Sequence, residues 1–398
     1  MTHIIIPSVW IIVFIVGLPQ LSETVYSPSL PDIASALKAS ESMVEYTLTI
    51  YLLAFAIGTL FWGKLSDRFG RKPCIMTGLI VFILGCLGCY MASNIEILLL
   101  SRFIQAFGGS IGSVLGQAIC RDAFHGPALG KVYSQVGSAL AIFPAVGPVV
   151  GGLIAEYFGW VNIFLFLIFF TLGLIILIAL YLPETHHSQY RKQTSILKIV
   201  FCLLKDKKVI GFGLIVAACN GISFSYFAEG SFYLIKALGM SPSEYGLSYM
   251  AIAVSAMMGG MLSKRLQDHV NSQTVLKYGL RVILISSLVF TGIIILHSCI
   301  SLFNQHFMIF VTIINQMFIM FGICMATSNS LALALRDYTW CIGTASSLFG
   351  FFYYCLISLF TFFMGALHNG TLLPMPLYFL SLAIFMTIIN KTMIHTKH

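Results

Sequence analysis

Charge is what this chain lacks. Only 9% of its 398 residues are Asp, Glu, Lys or Arg, against about 25% in an ordinary soluble protein. With 58% hydrophobic residues, one or two water-bounded cores could not hide the apolar side chains. A soluble globular fold is excluded, and lipid has to serve as part of the solvent. Two signatures of energy-consuming and hydrolytic chemistry are missing too. No G-x-x-x-x-G-K-[ST] stretch occurs, so the chain carries no Walker-type ATP site, and no H-E-x-x-H occurs either. A membrane-embedded enzyme would need a His/Asp or Ser/His constellation in its polar loops, and none is apparent. No cofactor and no metal site is expected. The His186-His187 pair reads as solvated loop histidines.

Ten cysteines are present but scattered, mostly within apolar runs. Cys86-x-x-Cys89 is the one tight pair, and it reads as small residues in helix packing rather than a redox or metal motif. The N-terminal apolar run has no basic leader and no A-x-A-like cleavage site, so it reads as a retained first helix.

What the sequence has in abundance is apolar runs of spanning length, about 20 residues. They fall near 5–27, 43–62, 74–93, 97–119, 130–155, 160–182, 209–235, 245–263, 275–298, 305–334, 342–365 and 374–393. The expected fold is therefore an all-α integral membrane protein of twelve transmembrane helices. Of 22 Lys and Arg residues, Lys38 and Lys236 lie in loops on one side and Arg102 lies inside a span; the other 19 fall on the opposite side. The positive-inside rule then predicts cytoplasmic termini, and a bacterial inner membrane is the expected location. Basic residues spread over such loops face anionic lipid, so nucleic acid is not an expected partner.

Two halves are visible. "SMVEY" opens span 2 and "SPSEY" opens span 8, at an offset of 199 residues. Each reads as a Ser-x-x-Glu capping box, Ser42/Glu45 and Ser241/Glu244, with Pro242 at the first helical position of the second. "KLSDR" at 64–68 and "LSKR" at 262–265 repeat at an offset of 197. The predicted organisation is an N-terminal six-helix bundle over 1–182, a cytoplasmic linker over 183–208, and a C-terminal six-helix bundle over 209–398. Such parallel repeats are typical of secondary transporters.

The most specific motif is "GKLSDRFGRKP" at 63–73. Gly63 and Gly70 permit a tight turn. Asp67 amid Arg68, Arg71 and Lys72 provides pairs that can form and break as two bundles rock. Here the chain resembles the major facilitator superfamily, whose signature between spans two and three is this motif. The resemblance covers the whole chain and implies the major facilitator fold, with two pseudo-symmetric bundles. Arg102 and Gln105 in "LLLSRFIQAFGGSIG" are similar to the superfamily's span-four motif. Gly147, Pro148, Gly151 and Gly152 in "PAVGPVVGG" are similar to its span-five antiporter motif, although Phe143 and Ser134 stand where that motif has two earlier glycines. "LPETHH", "GMSPSEYGLSY" and "GTASSLFGF" narrow the resemblance to the Bcr/CflA-type drug:proton antiporters.

That resemblance implies proton-coupled efflux of small hydrophobic or amphipathic compounds by alternating access, with the substrate, protons and membrane lipid as partners and a monomer as the working unit. The rival readings are a dedicated exporter of one metabolite or siderophore, an importer, and a non-transporting membrane sensor.

The residues themselves offer two acids for the proton. Glu23 shares a helix face with Gln20 and Ser27, a polar stripe suited to a watery cavity. It is either a functional acid held at depth or the rim of a helix reaching water. Relatives of this type often carry the acid two residues before Tyr-x-Pro; here Tyr26-Ser27-Pro28 follows and Thr24 holds that position. Either the acid has moved one position with its task, or Glu23 faces elsewhere. Glu229 has Tyr226 and Tyr233 on its face. Those three suit a cationic substrate by cation–π contact, or an interfacial aromatic belt. Arg102 at lipid depth must face a cavity or pair with an acid or carbonyls. Gln117, Asn220, Asn315 and Asn329 are further polar residues for a path or for interhelical bonding. Gly108, Gly112 and Gly116 form a small-xxx-small stripe for helix packing.

Overall fold

A computed structural model describes residues 7–124, 126–185, 196–300, 303–338 and 342–394; at 127, 134, 138–141, 196–198 and 342–343 only the backbone is described. His186, His187 and the final four residues lie outside the described residues, as does the side chain of Ser134. Among the described residues there is no strand. Twelve helices are long and apolar enough to span a membrane: Val9–Ala36, Glu41–Phe69, Arg71–Tyr90, Ile95–Ala123, Ala128–Phe158, Asn162–Tyr181, Lys207–Ala237, Pro242–Leu266, Ser272–Ile300, Gln305–Ala334, Thr344–Leu367 and Pro374–Ile394. They are numbered here as spans 1 to 12. The face carrying the turn at Gly70, between spans 2 and 3, is called the basic face, and the opposite one the far face.

Most spans run longer than their apolar stretches, because capped charged ends continue the helix past the hydrocarbon. Asn94 accepts from Ile97 N at 2.9 Å to start span 4, and Asn304 accepts from Phe307 N at 2.9 Å to start span 10. Span 1 carries a break. Its helix Val9–Thr24 gives way to a tight turn at Ser27–Ser29 and resumes as Leu30–Ala36. Pro28 and Pro31 start these segments, where a missing N–H costs nothing.

The linker is not all loop. Ile196–Lys205 forms a helix whose Ile199 and Leu203 are buried in the core of the second half. Asp206 then caps span 7 by accepting from Lys208 N and Val209 N.

One expected cap is present and one is not. Ser241 and Glu244 form the reciprocal box at the start of span 8, with Pro242 in the first turn. Span 2 is capped instead by Ser40, which accepts from Met43 N at 3.3 Å. Ser42 lies within the first turn and Glu45 points inward, fully buried. Two serines, Ser40 and Ser42, stand where this helix starts, and the Ser-x-x-Glu spacing points to the one that lies inside the first turn. Replacing Ser40 by Ala is expected to cost about 1 kcal/mol. Ser42→Ala should cost almost nothing. Thermal unfolding in detergent separates the two.

Glycines bring the helices together. Gly108 meets the backbone of Gly78 and Phe82 on span 3, whereas Gly112 and Gly116 meet Ile15 and Val16 on span 1. The stripe therefore serves two neighbours at once; an added side chain would strike backbone at Gly108 and Gly112 and the Val16 side chain at Gly116. Ser110, within the same "GGSIG" segment, is buried and donates to Phe107 O at 2.8 Å. The segment matches the G-x-S-x-G pattern of some hydrolases, but its serine sits inside the helix as a packing residue.

One apolar core belongs to the first half, built on Ile12, Leu79, Ile111 and Leu167. A second fills the other half and crosses into the first through Tyr26, Leu30, Ile33, Val44, Leu48 and Leu52. Those six lie at the far-face ends of spans 1 and 2. The halves are thus sealed together on the far side by continuous apolar packing.

Candidate functional site

A cavity of about 160 Å³ lies between the halves. Gln20 and Glu23 of span 1 line it from one side. Val216, Asn220 and Phe224 of span 7, Thr327 and Leu331 of span 10, and Tyr353, Tyr354 and Ile357 of span 11 complete the wall. Six of the ten lining residues are apolar or aromatic and four, Gln20, Glu23, Asn220 and Thr327, are polar, a mixture suited to a small-molecule site.

Glu23 is 1% exposed, and its Oε1 atom has no hydrogen-bond partner. The neighbouring position explains why this residue, and not Thr24, reaches the cavity. Thr24 turns toward span 5, where its Oγ1 occupies the space a side chain on Gly147 would need. Thr24 also donates to Gln20 O at 2.9 Å. The carboxyl at position 23 therefore lies on the cavity wall.

Arg102 sits behind it, fully buried. Its guanidinium stacks between the rings of Tyr26 and Tyr51, 4.4 and 4.3 Å from their centroids. Nη1 donates to Gln105 Oε1 at 2.6 Å, and Gln105 Nε2 in turn lies 3.1 Å from Cys86 Sγ. Nε and Nη2 have no partner. A charged group this deep is costly unless compensated. Two aromatic faces and one amide supply the compensation here, and two nitrogens are left without a partner. Glu23 makes no hydrogen bond to Arg102, so an acid and a guanidinium face the same interior unpaired. Cys86 and Cys89 are free thiols packed beside Gln105.

The remaining residues expected at the cavity stand elsewhere. Ser27 is buried and donates to Phe227 O across the interface of the halves, with Tyr245 Oη at 3.0 Å. Tyr226 packs on Tyr249. Tyr233 packs on Phe290. None of Ser27, Tyr226, Glu229 and Tyr233 lines the cavity; all four belong to the far-face seal. The helical break after Thr24 is the cause for Ser27: it interrupts the 3.6-residue periodicity that would have put Ser27 below Glu23. Among the polar span residues, Asn220 lines the cavity. Asn329 donates to Ser263 Oγ at 2.8 Å and accepts from Gln267 at 2.8 Å, joining spans 8 and 10. Asn315 bonds back to its own helix at Val311 O.

Glu229 lies in a cluster that the sequence did not disclose. His368, just past span 11, places Nδ1 2.7 Å from Glu229 Oε2 and 3.4 Å from Glu45 Oε1, with Nε2 2.9 Å from Glu41 Oε2. Lys236 pairs with Glu41 from the second half. Among the described residues Glu45, Glu229 and His368 are the group compact enough to be considered for a metal ion. Both imidazole nitrogens already face carboxylates, so the arrangement is built as an ion-pair network. An acid pair at i and i+4 in an otherwise apolar helix, Glu41 and Glu45, was the signal that could have revealed it.

On the basic face, Gly70 adopts φ +102° and lets the chain reverse between spans 2 and 3. Arg71 is held there, donating to Ser66 Oγ at 2.7 Å, Asp67 Oδ1 at 2.7 Å and Asp122 Oδ2 at 2.8 Å. Glu184 accepts from the backbone N–H groups of Arg71 and Lys72 at 2.8 and 3.0 Å. Lys72 Nζ donates to Ala179 O, and Arg68 lies over the ring of Phe69. Gly63, expected in the turn, lies instead inside the helix of span 2, where it approaches Val114 of span 4. The turn thus braces spans 2, 3, 4 and 6 of the first half. An alanine at Gly70 would be both strained at that φ and crowded by Glu184. Gly70→Ala is expected to lose more than about 1 kcal/mol of stability, read as a lower unfolding temperature in detergent.

Span 5 supplies the last element. Gly147 faces Thr24, Gly151 faces Val25 O, and Gly152 faces Pro242 O of span 8, while Gly246 of span 8 faces Pro148 O. Spans 1, 5 and 8 therefore meet backbone to backbone where the halves join. Phe143 fits this scheme in reverse: its ring fills the space beside Gly17 of span 1, with the glycine on the partner helix.

Comparison with known proteins agrees with this architecture. The family model of the Major Facilitator Superfamily matches residues 9–361. The chain is 34% identical over 386 residues to an uncharacterized transporter of Rickettsia bellii, covering 94% of this chain and 93% of that one. It is 29% identical over 363 residues to a bicyclomycin resistance protein homolog of Haemophilus influenzae, covering 90% and 88%. Among solved structures, a D-xylose-proton symporter superposes with a TM-score of 0.77 at 14% identity, covering 95% of this chain and 96% of that one; this likeness concerns the fold. With twelve spans, the brace at 63–73 and the cavity between two halves, the chain belongs to the Major Facilitator Superfamily.

Proposed function

We propose that this protein exports small hydrophobic or amphipathic compounds in exchange for protons, by alternating access of the central cavity. The observation that carries the reading is Glu23: a buried carboxyl on the wall of an apolar and aromatic cavity, with an unpartnered oxygen and an unpaired Arg102 guanidinium behind it. Burial favours the neutral form of a carboxyl and a nearby cation favours the charged one. A rearrangement that brings Arg102 closer to Glu23 would release a proton, and one that separates them would favour its uptake. A substrate entering the cavity would act through the same balance. The bicyclomycin resistance homolog supports the substrate class, and the apolar lining suits it.

The positive-inside rule supports placing the basic face in the cytoplasm and the far face outside. The far-face seal then corresponds to a state closed to the outside. The two halves are proposed to rock as bodies hinged on the glycine contacts of spans 1, 5 and 8, with a monomer as the unit. A substrate panel in an efflux-deficient bacterial host tests the function. The host should tolerate higher concentrations of some apolar compounds when it expresses the protein, and collapse of the proton gradient should remove that protection. Protection that persists after collapse would overturn the coupling.

A further inference from the structure

We propose that Glu45, Glu229 and His368 form a second proton-binding site, set between the two halves and filled from the far face, whose occupancy holds that face shut. The inference rests on the transport reading above only for its consequence, since the site itself follows from the geometry.

Glu45 belongs to span 2 in the first half; Glu229 belongs to span 7 and His368 follows span 11 in the second. One carboxyl oxygen from each acid and a ring nitrogen lie within 4.8 Å of one another. Glu45 is fully buried and neither of its oxygens has a hydrogen-bond partner. Glu229 is 2% exposed. Two bare carboxylates at this separation and depth repel strongly, so the arrangement is stable only when a proton is shared between them. His368 cannot neutralise both acids, because its second nitrogen is committed to Glu41.

The surrounding charges do not remove the deficit. The groups facing the cluster are Glu41 on span 2, Asp32 beside it on the last segment of span 1, Lys236 and the Tyr233 hydroxyl on span 7, and His368. Against the three acids of the network, Glu41, Glu45 and Glu229, stand two cations, Lys236 and His368, while Asp32 lines the groove beside them. Burial works against the charge on His368, yet the hydrogen bond and charge of Glu229, with those of Glu41, outweigh it and hold the imidazolium to higher pH than usual. One negative charge is therefore left uncompensated at the buried contact of Glu45 with Glu229.

A route exists for the proton that would compensate it. A groove of about 330 Å³ on the far face is lined by Asp32, Ser40, Glu41 and Lys236. Glu41 connects that groove to His368 Nε2, and His368 Nδ1 connects to both buried acids. Opening the far face separates span 2 from spans 7 and 11, breaks the network and exposes the carboxylates to water, which favours their ionised form. Closing requires the proton back. One proton bound in the closed state and not in the open one shifts the ratio of the two by up to about tenfold per pH unit. The shift favours closure as pH falls.

Distance measurement between spin labels tests this. Ala36→Cys and His306→Cys place one label on each half at the far face; both positions are exposed. The background lacks the exposed Cys202 and Cys299. In lipid nanodiscs without substrate, the short-distance population should dominate at about pH 5.5 and decline toward about pH 8.5. Glu45→Gln, which mimics the protonated acid in size, should keep the short distance at both values. His368→Gln should lose it at both. A wild-type distance that ignores pH, or a Glu45→Gln variant that follows the wild-type profile, would overturn the site. If Glu45→Gln does not yield folded protein, Glu229→Gln supplies the same comparison. The readout needs neither substrate nor gradient. A protein that closes with acid yet transports without protons would refute the proposed coupling and leave this site standing.

Discussion

Glu23→Gln is expected to abolish accumulation against a gradient while leaving a folded protein that still admits substrate. The substitution keeps the shape of the side chain and removes only the exchangeable proton. For a neutral substrate exchanged for one proton, each 100 mV supplies about 2.3 kcal/mol, enough to sustain a concentration ratio of about 50. In everted vesicles energised to that extent, wild-type protein should approach such a ratio and Glu23→Gln should stay near unity. Downhill exchange of labelled substrate should survive in the variant, because the rest of the cavity wall is untouched. Resistance in an efflux-deficient host would fall to that of the empty host. A Glu23→Gln protein that accumulates substrate as wild type does would remove Glu23 from the coupling.

Arg102→Lys is expected to be nearly as damaging, although the charge is conserved. The guanidinium is planar and lies between two rings at 4.4 and 4.3 Å while donating to Gln105. An ammonium is a strongly hydrated point charge that can neither stack on two faces nor keep the same fork of donors. A desolvated cation–π contact is worth about 2 kcal/mol, and losing that much slows a step about 30-fold. Transport should fall by that order, and Arg102→Ala should fall further. Separate controls on Tyr26 and Tyr51 distinguish stacking from charge: Tyr51→Leu in the Arg102→Lys background should add little, because the stack is already lost. Full activity of Arg102→Lys would show that charge alone suffices at this position.

Much of this architecture was legible in the sequence, for a physical reason. Apolar runs of spanning length and the lopsided placement of Lys and Arg are statements about lipid, and they do not depend on tertiary contacts. So all twelve spans and the brace at 63–73 could be read directly. Helix ends were less legible. Capped polar turns carry spans 2 and 4 beyond their apolar stretches, and the linker hides a helix that buries Ile199 and Leu203. Position 27 failed because a helical face was extended through Pro28, where the helix breaks. Glu45 failed because a local spacing, Ser-x-x-Glu, offered a complete explanation for it. Its actual surroundings come from Glu229 and His368, distant in sequence and adjacent only after the halves assemble. Local pattern identifies elements; it does not identify which charges meet across an interface.

The facing of Glu23 shows the same limit in reverse. One residue of displacement is about 100° on a helix, and sequence left both outcomes open. The contact of Thr24 with Gly147 fixes the rotation, because the glycine is the only residue type that admits the threonine there. The Gly147-Pro148 pair and the position of the acid are therefore parts of one packing arrangement between spans 1 and 5.

The most direct measurement is of protons and substrate together in liposomes containing only this protein. Vesicles are loaded with an exported compound and a pH-sensitive dye and diluted into substrate-free buffer, with potassium and valinomycin clamping the voltage. Substrate leaving downhill should draw protons inward, acidifying the lumen in wild-type vesicles and not in Glu23→Gln vesicles. Substrate loss with no pH change, or with protons moving outward alongside it, would contradict proton antiport.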